Sequence, residues 1–426
     1  MKNNRNPDVK RILIVNLHSA LNLGDDAIMY ETLRGVNEVF PEAQITLAAN
    51  DPESWKKYKQ VEVTGSLTTW AIQLRDRRWY YRFIRFPFDM LRLFVAVCLY
   101  RWGKRKSLFG TNDQRRLLSA YYNADLVLSC GGGNFSAYRV ISPFFMMGLV
   151  ALQLASCLQK KIIMLPQSIG PIRGKLQTSL ARQVLGRADL IMAREMISKK
   201  FLEEKLKISI PIVFMPDLAF GLPRVSASIP YTNSSINNQL KIGLTIIDRG
   251  SQTKSFVNQQ EYERSIIRLV EKLLDEKENI CIYLFTQSYG PGIDHDDRQI
   301  VGRIYTNLKP HHERVYLLRD FHDALEIKAA YKSMDCVIGT RMHTGIFAIS
   351  ESVPVVLLGY QPKTFGVMET LGLGRYCMNI ESINVPVLYN AVMELIEDSP
   401  NIKLKFVAPL EMTQKLLESW PQLLKV

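Results

Sequence analysis

Arg341 and His343 stand two residues apart in Asp335-Cys-Val-Ile-Gly-Thr-Arg-Met-His-Thr-Gly-Ile-Phe-Ala-Ile-Ser350. A guanidinium stays charged and offers a planar fork of donors to a carboxylate or phosphate. An imidazole gains and loses protons near neutral pH. Together they suit anion binding with proton transfer beside it. The flanking residues say what must position them. Cys336 to Ile338 is a short apolar run that suits a buried strand, Gly339 breaks it, and Met342 to Ser350 is compatible with a helix. The first N–H groups of a helix lack internal partners and its dipole favours negative charge, so the turn is a ready anion site. A surface arginine and a packed histidine are the bland account of the same pair; the strand–Gly–Arg-x-His–helix order favours function.

Similar strand ends recur along the chain. Arg11 to Leu17 reads as a buried strand, His18 to Asp26 as a turn-rich loop, Ala27 to Phe40 as an amphipathic helix and Ile45 to Ala49 as the next strand. Strands alternating with helices imply a parallel sheet, and such sheets bind ligands at the carboxyl ends of their strands. Asp125 to Ser129 runs into Cys130-Gly-Gly-Gly-Asn134, Lys161 to Leu165 into Pro166-Gln-Ser-Ile-Gly-Pro171, Leu190 to Ala193 into Arg194-Glu195, and Val213 to Met215 into Pro216-Asp217. Each alone is a turn; their recurrence along one sheet edge argues for a binding cleft. Neither a GxGxxG fingerprint nor a P-loop is present, so a nucleotide is not specified.

Gly221 to Gln239, rich in Ser, Asn and Pro, reads as an interdomain linker. A second α/β half follows, with strands at Ile242 to Ile246, Ile280 to Phe285, Val315 to Leu318 and Val355 to Leu358; Lys363 stands beyond the last. Asp294-His-Asp-Asp297 contains a DxD, the carboxylate pair that holds a divalent cation in some sugar transferases. A solvated acidic loop capping the helix Arg298 to Leu308 is the favoured account. The boundaries read as 8–222 for the first domain, 223–240 for the linker, 241–405 for the second domain, and 406–426 for a C-terminal helix that can return to the first.

The chain has 426 residues, 47% of them hydrophobic and 22% charged, as expected of a globular protein of two or three domains. A net charge of +13 fits an anionic small substrate, an anionic membrane surface or nucleic acid without choosing among them. The six cysteines lie far apart, with no CxxC pair and no zinc spacing, which suits a reducing, cytoplasmic setting. The N-terminus leads straight into a strand without a signal peptide, and no run is long and apolar enough to span a bilayer. Residues 70–106 interleave Trp and Phe with Arg around an apolar helical run. That pattern suits an interfacial helix on anionic lipid at the inner face of the membrane, and equally a core helix with a basic solvated face. Nucleic acid is the less favoured partner.

Asn22-Leu-Gly-Asp25, Gly131-Gly-Gly-Asn134, Gln167-Ser-Ile-Gly-Pro171, Ala193-Arg-Glu195, Pro216-Asp217 and Gly339-Thr-Arg-Met-His-Thr-Gly345 occur in that order. The ordered set resembles the polysaccharide pyruvyl transferase family over about residues 10–375. The resemblance implies two Rossmann-like α/β domains facing across a cleft, of the glycosyltransferase-B type. It implies phosphoenolpyruvate as donor, a sugar acceptor, free or lipid-linked, and a cyclic pyruvate ketal plus phosphate as products, with no cofactor and no assigned metal. By similarity His343 is the general acid/base, and Arg341, Arg194 and Lys363 hold the donor's anionic groups. Asn134, Gln167 and Asp25 would position donor or sugar, and Asp217 would orient a partner. Two alternatives stand beside this: a nucleotide-sugar-dependent glycosyltransferase of the same architecture, and a non-catalytic membrane-surface scaffold in glycan assembly.

Overall fold

The computed structural model describes residues 9–69, 111–224, 239–249, 258–308, 313–397 and 399–425, together with 88, 91–93, 95 and 97. The expected interfacial helix of 70–106 lies outside the described residues apart from the last six of these, which are helical. Most of the expected linker lies outside them too.

The chain divides into two compact units. The first comprises 1–20, 32–217 and 419–426. Its strands are β1 (Arg11–Leu17), β2 (Gln44–Ala49), β3 (Glu62–Gly65), β4 (Leu126–Ser129), β5 (Gly132–Ala137), β6 (Lys161–Ile172), β7 (Leu190–Ala193) and β8 (Ile212–Phe214). They pair in parallel in the order β3-β2-β1-β4-β6-β7-β8, with β5 pairing β6 off that path. Central strands are buried on both faces, which is why they read as continuous apolar runs: every residue of β4 and β7 is buried. Its described helices are the second half of α1 (Leu23–Val39), from residue 32, and α2 (Asn112–Asn123), α3 (Pro143–Cys157), α4 (Lys175–Leu185) and α5 (Met196–Lys200). Leu93 and Val97 of the otherwise undescribed stretch join the core made by Leu117, Tyr121, Phe135 and Phe145. Residues 419–426 group with this unit, where Trp420 lies against Gly35 so closely that a Cβ there would stand 2.0 Å from the indole.

The second unit comprises 21–31 and 218–418. Its strands are β9 (Leu240–Thr245), β10 (Ile280–Phe285), β11 (Val315–Leu318), β12 (Cys336–Gly339), β13 (Val355–Gly359) and β14 (Cys377–Asn379). They form a parallel sheet in the order β11-β10-β9-β12-β13-β14. Helices α6 (Gln259–Glu276), α7 (Asp297–Asn307), α8 (Ala324–Lys332), α9 (Met342–Ser350), α10 (Pro362–Thr370), α11 (Val385–Glu397) and α12 (Ser399–Ser419) connect and cover them. The strand order reverses between β9 and β12, the point at which open α/β sheets bind ligands beyond the carboxyl ends. α9 begins there.

Three expectations change. The loop from His18 is shorter than its turn residues suggested, because α1 begins at Leu23 and takes Gly24, Asp25 and Asp26 into its first turn. Asn22 starts it: its side-chain oxygen accepts from the Gly24 N–H at 3.1 Å and its carbonyl from Asp26. Gly132 to Ala137, read as part of a turn, is strand β5, held by pairing with β6 rather than by side-chain preference. The last helix runs over Ser399–Ser419 rather than 406–426, followed by a 3-10 turn from Trp420 to Lys425.

Candidate active site

β12 is wholly buried and ends at Gly339, where a Cβ would lie 2.6 Å from Leu357 on the neighbouring strand. Glycine lets the chain turn that close to β13. Thr340 then anchors the turn, its N–H donating to Thr245 Oγ1 at 3.0 Å and its hydroxyl to the Thr245 carbonyl at 3.1 Å. α9 starts at once, with Arg341 as its extended N-cap residue, no acidic residue in the first turn and no side-chain cap. α10, after the adjacent strand β13, also starts with no acidic residue and no side-chain cap, and Lys363 is its second residue. In the same unit Asp296 caps α7 and Asp323 caps α8 through two backbone N–H groups, and α6, which has no side-chain cap, carries Glu261 in its first turn. The starts of α9 and α10 therefore keep the positive ends that an anion can occupy.

Arg341 is fixed by Asp297. Its Nε donates to Asp297 Oδ2 at 2.8 Å and its Nη2 to Oδ1. The side chains are 11% and 3% exposed. The same carboxylate accepts the backbone N–H of Ser288 at 3.0 Å and of Gln287 at 3.3 Å. Burial alone would lower the pKa of the guanidinium; the Asp297 charge and hydrogen bonds outweigh it and hold Arg341 above the ordinary arginine value, with Asp25 adding to the effect. The pair engages Nε and Nη2 and leaves Nη1 outside it.

His343 is seated by the other end of the chain. Leu23 donates its N–H to the Gln287 carbonyl at 3.1 Å, Tyr289 donates to the Leu21 carbonyl at 2.9 Å, and Asn22 bridges Ser288. This short antiparallel contact brings Gly24 under the imidazole, so that a Cβ on Gly24 would stand 2.1 Å from His343 Nδ1. Asp26 completes the seat by accepting the Ala324 N–H at 3.0 Å. Gln287 holds the first turn of α9, its Oε1 accepting from the Thr344 hydroxyl at 2.6 Å and the Tyr331 hydroxyl at 3.2 Å. Asp25, half-buried, accepts from Asn22 Nδ2 at 3.1 Å.

The remaining candidates belong to the first unit. Arg194 and Asp217 form an ion pair at 2.7 Å with side chains 1% exposed each. Arg194 Nε also donates to Ser168 Oγ at 3.0 Å, and Ser168 donates to Glu195 Oε2 at 2.7 Å. The Arg194 fork is thus engaged inside the protein. Asn134 Nδ2 donates to the Asn16 carbonyl; buried Gln167 donates to Ser129 Oγ at 3.1 Å and to the Cys130 carbonyl. These contacts tie β5 and β6 to the ends of β1 and β4.

The acidic loop before α7 is only partly as expected. Asp296 caps the helix and pairs with Arg298 at 2.7 Å, but Asp297 is not solvated; it is the buried partner of Arg341. Among the described residues no group of three His, Cys, Asp or Glu could hold a metal ion. Gln287 stands at the carboxyl end of β10 but is not among the candidate site residues of the sequence reading, and neither is Asp297. One signal marks the former: Gln287-Ser-Tyr-Gly-Pro291 repeats Gln167-Ser-Ile-Gly-Pro171. No spacing marks Asp297, which meets Arg341 across 44 residues.

Solved structures share the fold. A UDP-GlcNAc 2-epimerase from Neisseria meningitidis, bound to UDP-GlcNAc, superposes with a TM-score of 0.57 at 11% identity, covering 98% of this chain and 100% of its own. The spinosyn rhamnosyltransferase SpnG, complexed with thymidine diphosphate, gives 0.52 at 9% identity, covering 97% and 99%. Both units are thus Rossmann-like α/β folds of the glycosyltransferase-B type. In sequence, the amylovoran biosynthesis protein AmsJ of Erwinia amylovora is 23% identical over 249 residues, 56% of this chain. The match spans 60% of that protein's length. Residues 22–362 match the polysaccharide pyruvyl transferase family from Asn22, which starts α1, to Pro362, which starts α10. That span takes in Gly24, Asp297, Arg341 and His343, and the chain belongs to the polysaccharide pyruvyl transferase family.

Proposed function

We propose that this protein moves the enolpyruvyl group of phosphoenolpyruvate onto two hydroxyls of a sugar in a cell-surface or exopolysaccharide, or its lipid-linked precursor, forming a cyclic pyruvate ketal. The carrying observation is that Arg341 and His343 share the uncapped start of α9. The donor has a phosphate and a carboxylate, and an arginine fork beside a helix N-terminus matches either. Arg341, held by Asp297 and presenting Nη1, would bind one group; Lys363 at the start of α10 would bind the other.

In the reaction a proton adds to the methylene carbon of the donor and makes it a methyl. The first sugar hydroxyl bonds to the adjacent carbon, the carbon–oxygen bond to phosphate breaks, and the second hydroxyl closes the ring. Of the two hydroxyl protons released, one balances the new methyl C–H and one leaves with phosphate. His343 would carry these protons. Asp25, beside the histidine's seat, would orient a sugar hydroxyl. The first unit's Asn134, Gln167, Arg194 and Asp217 would shape the carboxyl edge of its sheet.

The test is phosphate release from phosphoenolpyruvate with a panel of sugar acceptors, wild type against His343→Ala. Acceptor-dependent release that the variant loses by about 10²–10⁴-fold is expected for a general acid/base. No release with any acceptor, with stabilisation by a nucleotide sugar, would replace the proposal with a glycosyltransferase.

A further inference from the structure

β5 and the second half of β6 leave the main sheet as a two-stranded arm at its carboxyl edge, with Phe135 opposite Ile169 and Ala137 opposite Ile172. Beyond the arm, Val140 and Ile141 after β5, Phe144 at the start of α3 and Leu176 at the start of α4 are between 66 and 75% exposed. Monomeric surfaces seldom gather such side chains without a partner. The patch has a built frame. Gln177, buried beneath it, donates from Nε2 to the carbonyls of Arg139 at 2.8 Å and Arg173 at 2.6 Å, and its Oε1 accepts the Ser142 N–H at 2.8 Å. A Cβ on Gly174 would stand 3.1 Å from the Val140 carbonyl, so the two segments lie against each other.

The charge around the patch has one sign. Arg139, Arg173 and Lys175 are exposed in these same segments. From Asp125 to Asp189 the sequence has seven Lys and Arg between those two aspartates and no Asp or Glu. A partner protein's apolar surface would not need this, and nucleic acid, which binds by stacking on aromatic rings, would leave Val140, Ile141 and Leu176 without a role. Apolar tips, Phe144 among three aliphatic side chains, ringed by cations match the boundary between headgroups and acyl chains of an anionic bilayer.

We propose that the turn 138–144 with Leu176 is a membrane-docking surface that inserts Val140, Ile141, Phe144 and Leu176 among anionic lipids, with Arg139, Arg173 and Lys175 on the headgroups. It is distinct in sequence from the basic–aromatic stretch 70–106 and does not depend on the donor or the reaction.

The test is co-sedimentation of the full chain with vesicles of neutral phosphatidylcholine, alone or mixed with phosphatidylglycerol. Wild type should bind the mixed vesicles and not the neutral ones. Arg139→Gln/Arg173→Gln/Lys175→Gln should bind roughly 100-fold more weakly, at about 5-fold per cation near the surface. Ile141→Ser/Phe144→Ser should also lose binding, with unchanged circular dichroism and Tm since both side chains are exposed. Wild type that fails to bind anionic vesicles, or folded variants that bind as wild type does, would overturn the proposal; the second outcome would place binding elsewhere on the chain.

Discussion

The imidazole of His343 rests on the Cα of Gly24, with room for no larger residue: a Cβ would come within 2.1 Å of Nδ1 and 2.4 Å of Cγ. Gly24 has no positive φ and lies in the first turn of a helix, so its backbone demands nothing of glycine. What demands it is the ring above. Gly24→Ala should therefore push His343 aside while costing α1 nothing, since alanine is the better helix former by about 1 kcal/mol. A displacement near 1 Å costs on the order of 10²-fold in rate. Phosphate release from phosphoenolpyruvate should fall by about that factor with Tm near wild type. Full activity in the alanine variant would show that His343 does not act from this seat.

Asp297 should govern both the stability of the second unit and the aim of Arg341. Asp297→Ala leaves a guanidinium, 11% exposed, without its buried carboxylate. Removing one member of a buried pair costs about 3–5 kcal/mol. Arg341→Lys keeps the charge and loses the fork, so it should raise KM for phosphoenolpyruvate with a smaller loss in Tm. If lysine restores wild-type KM, the fork has no part in donor binding.

The strands were legible where sequence and burial coincide. β1, β4, β7, β10 and β12 are apolar because helices cover both faces, and the same pattern shows in the chain. β12, Gly339 and α9 follow the reading almost residue for residue, since strand, breaker and helix adjoin in sequence. β5 was not legible: Gly-Gly-Asn-Phe-Ser-Ala has no strand pattern, and its pairing with β6 comes from residues about 35 positions away. The site shows the same divide. Arg341 and His343 announce themselves by neighbours in sequence; Asp297 and the seat on Gly24 arise from contacts made only after the sheet has formed.

Alkaline pH should destabilise the protein. Burial pushes the phenols of Tyr121, Tyr262 and Tyr331 up, and that of Tyr283 up to about 12. An exposed phenol ionises near 10, so the unfolded chain loses protons there that the folded chain keeps. Their stability contribution is whole below about pH 10 and is lost as the pH rises toward the folded values. Lys328 and Lys160, lowered by burial, work in the opposite direction, while burial also raises the phenols of Tyr289 and Tyr316. Tm should fall as the pH rises above about 10, with tyrosinate absorbance rising together with unfolding. A flat Tm with early tyrosinate absorbance would mean these phenols reach water in the folded state.

Arg194 and Asp217 give the test of what the first unit contributes. Both side chains are buried and face each other at 2.7 Å, with Ser168 filling the fork. Arg194→Met should cost about 3–5 kcal/mol, because it leaves the buried carboxylates of Asp217 and of Glu195, 3.5 Å from the guanidinium, without their cation, whereas Asp217→Asn leaves Arg194 beside Glu195 and should cost less. The double variant should cost less than the sum, since no Asp217 charge is left for the lost guanidinium to strand, although Glu195 still loses its cation. Denaturant unfolding of the three variants checks this, and KM for phosphoenolpyruvate, measured well below each Tm, assigns the role. An unchanged KM in Arg194→Met would make the pair a support for the loops that follow β6 and β7. A KM raised tenfold or more in a folded variant would mean that Arg194 turns its fork to the donor on binding, at the cost of its contact with Asp217.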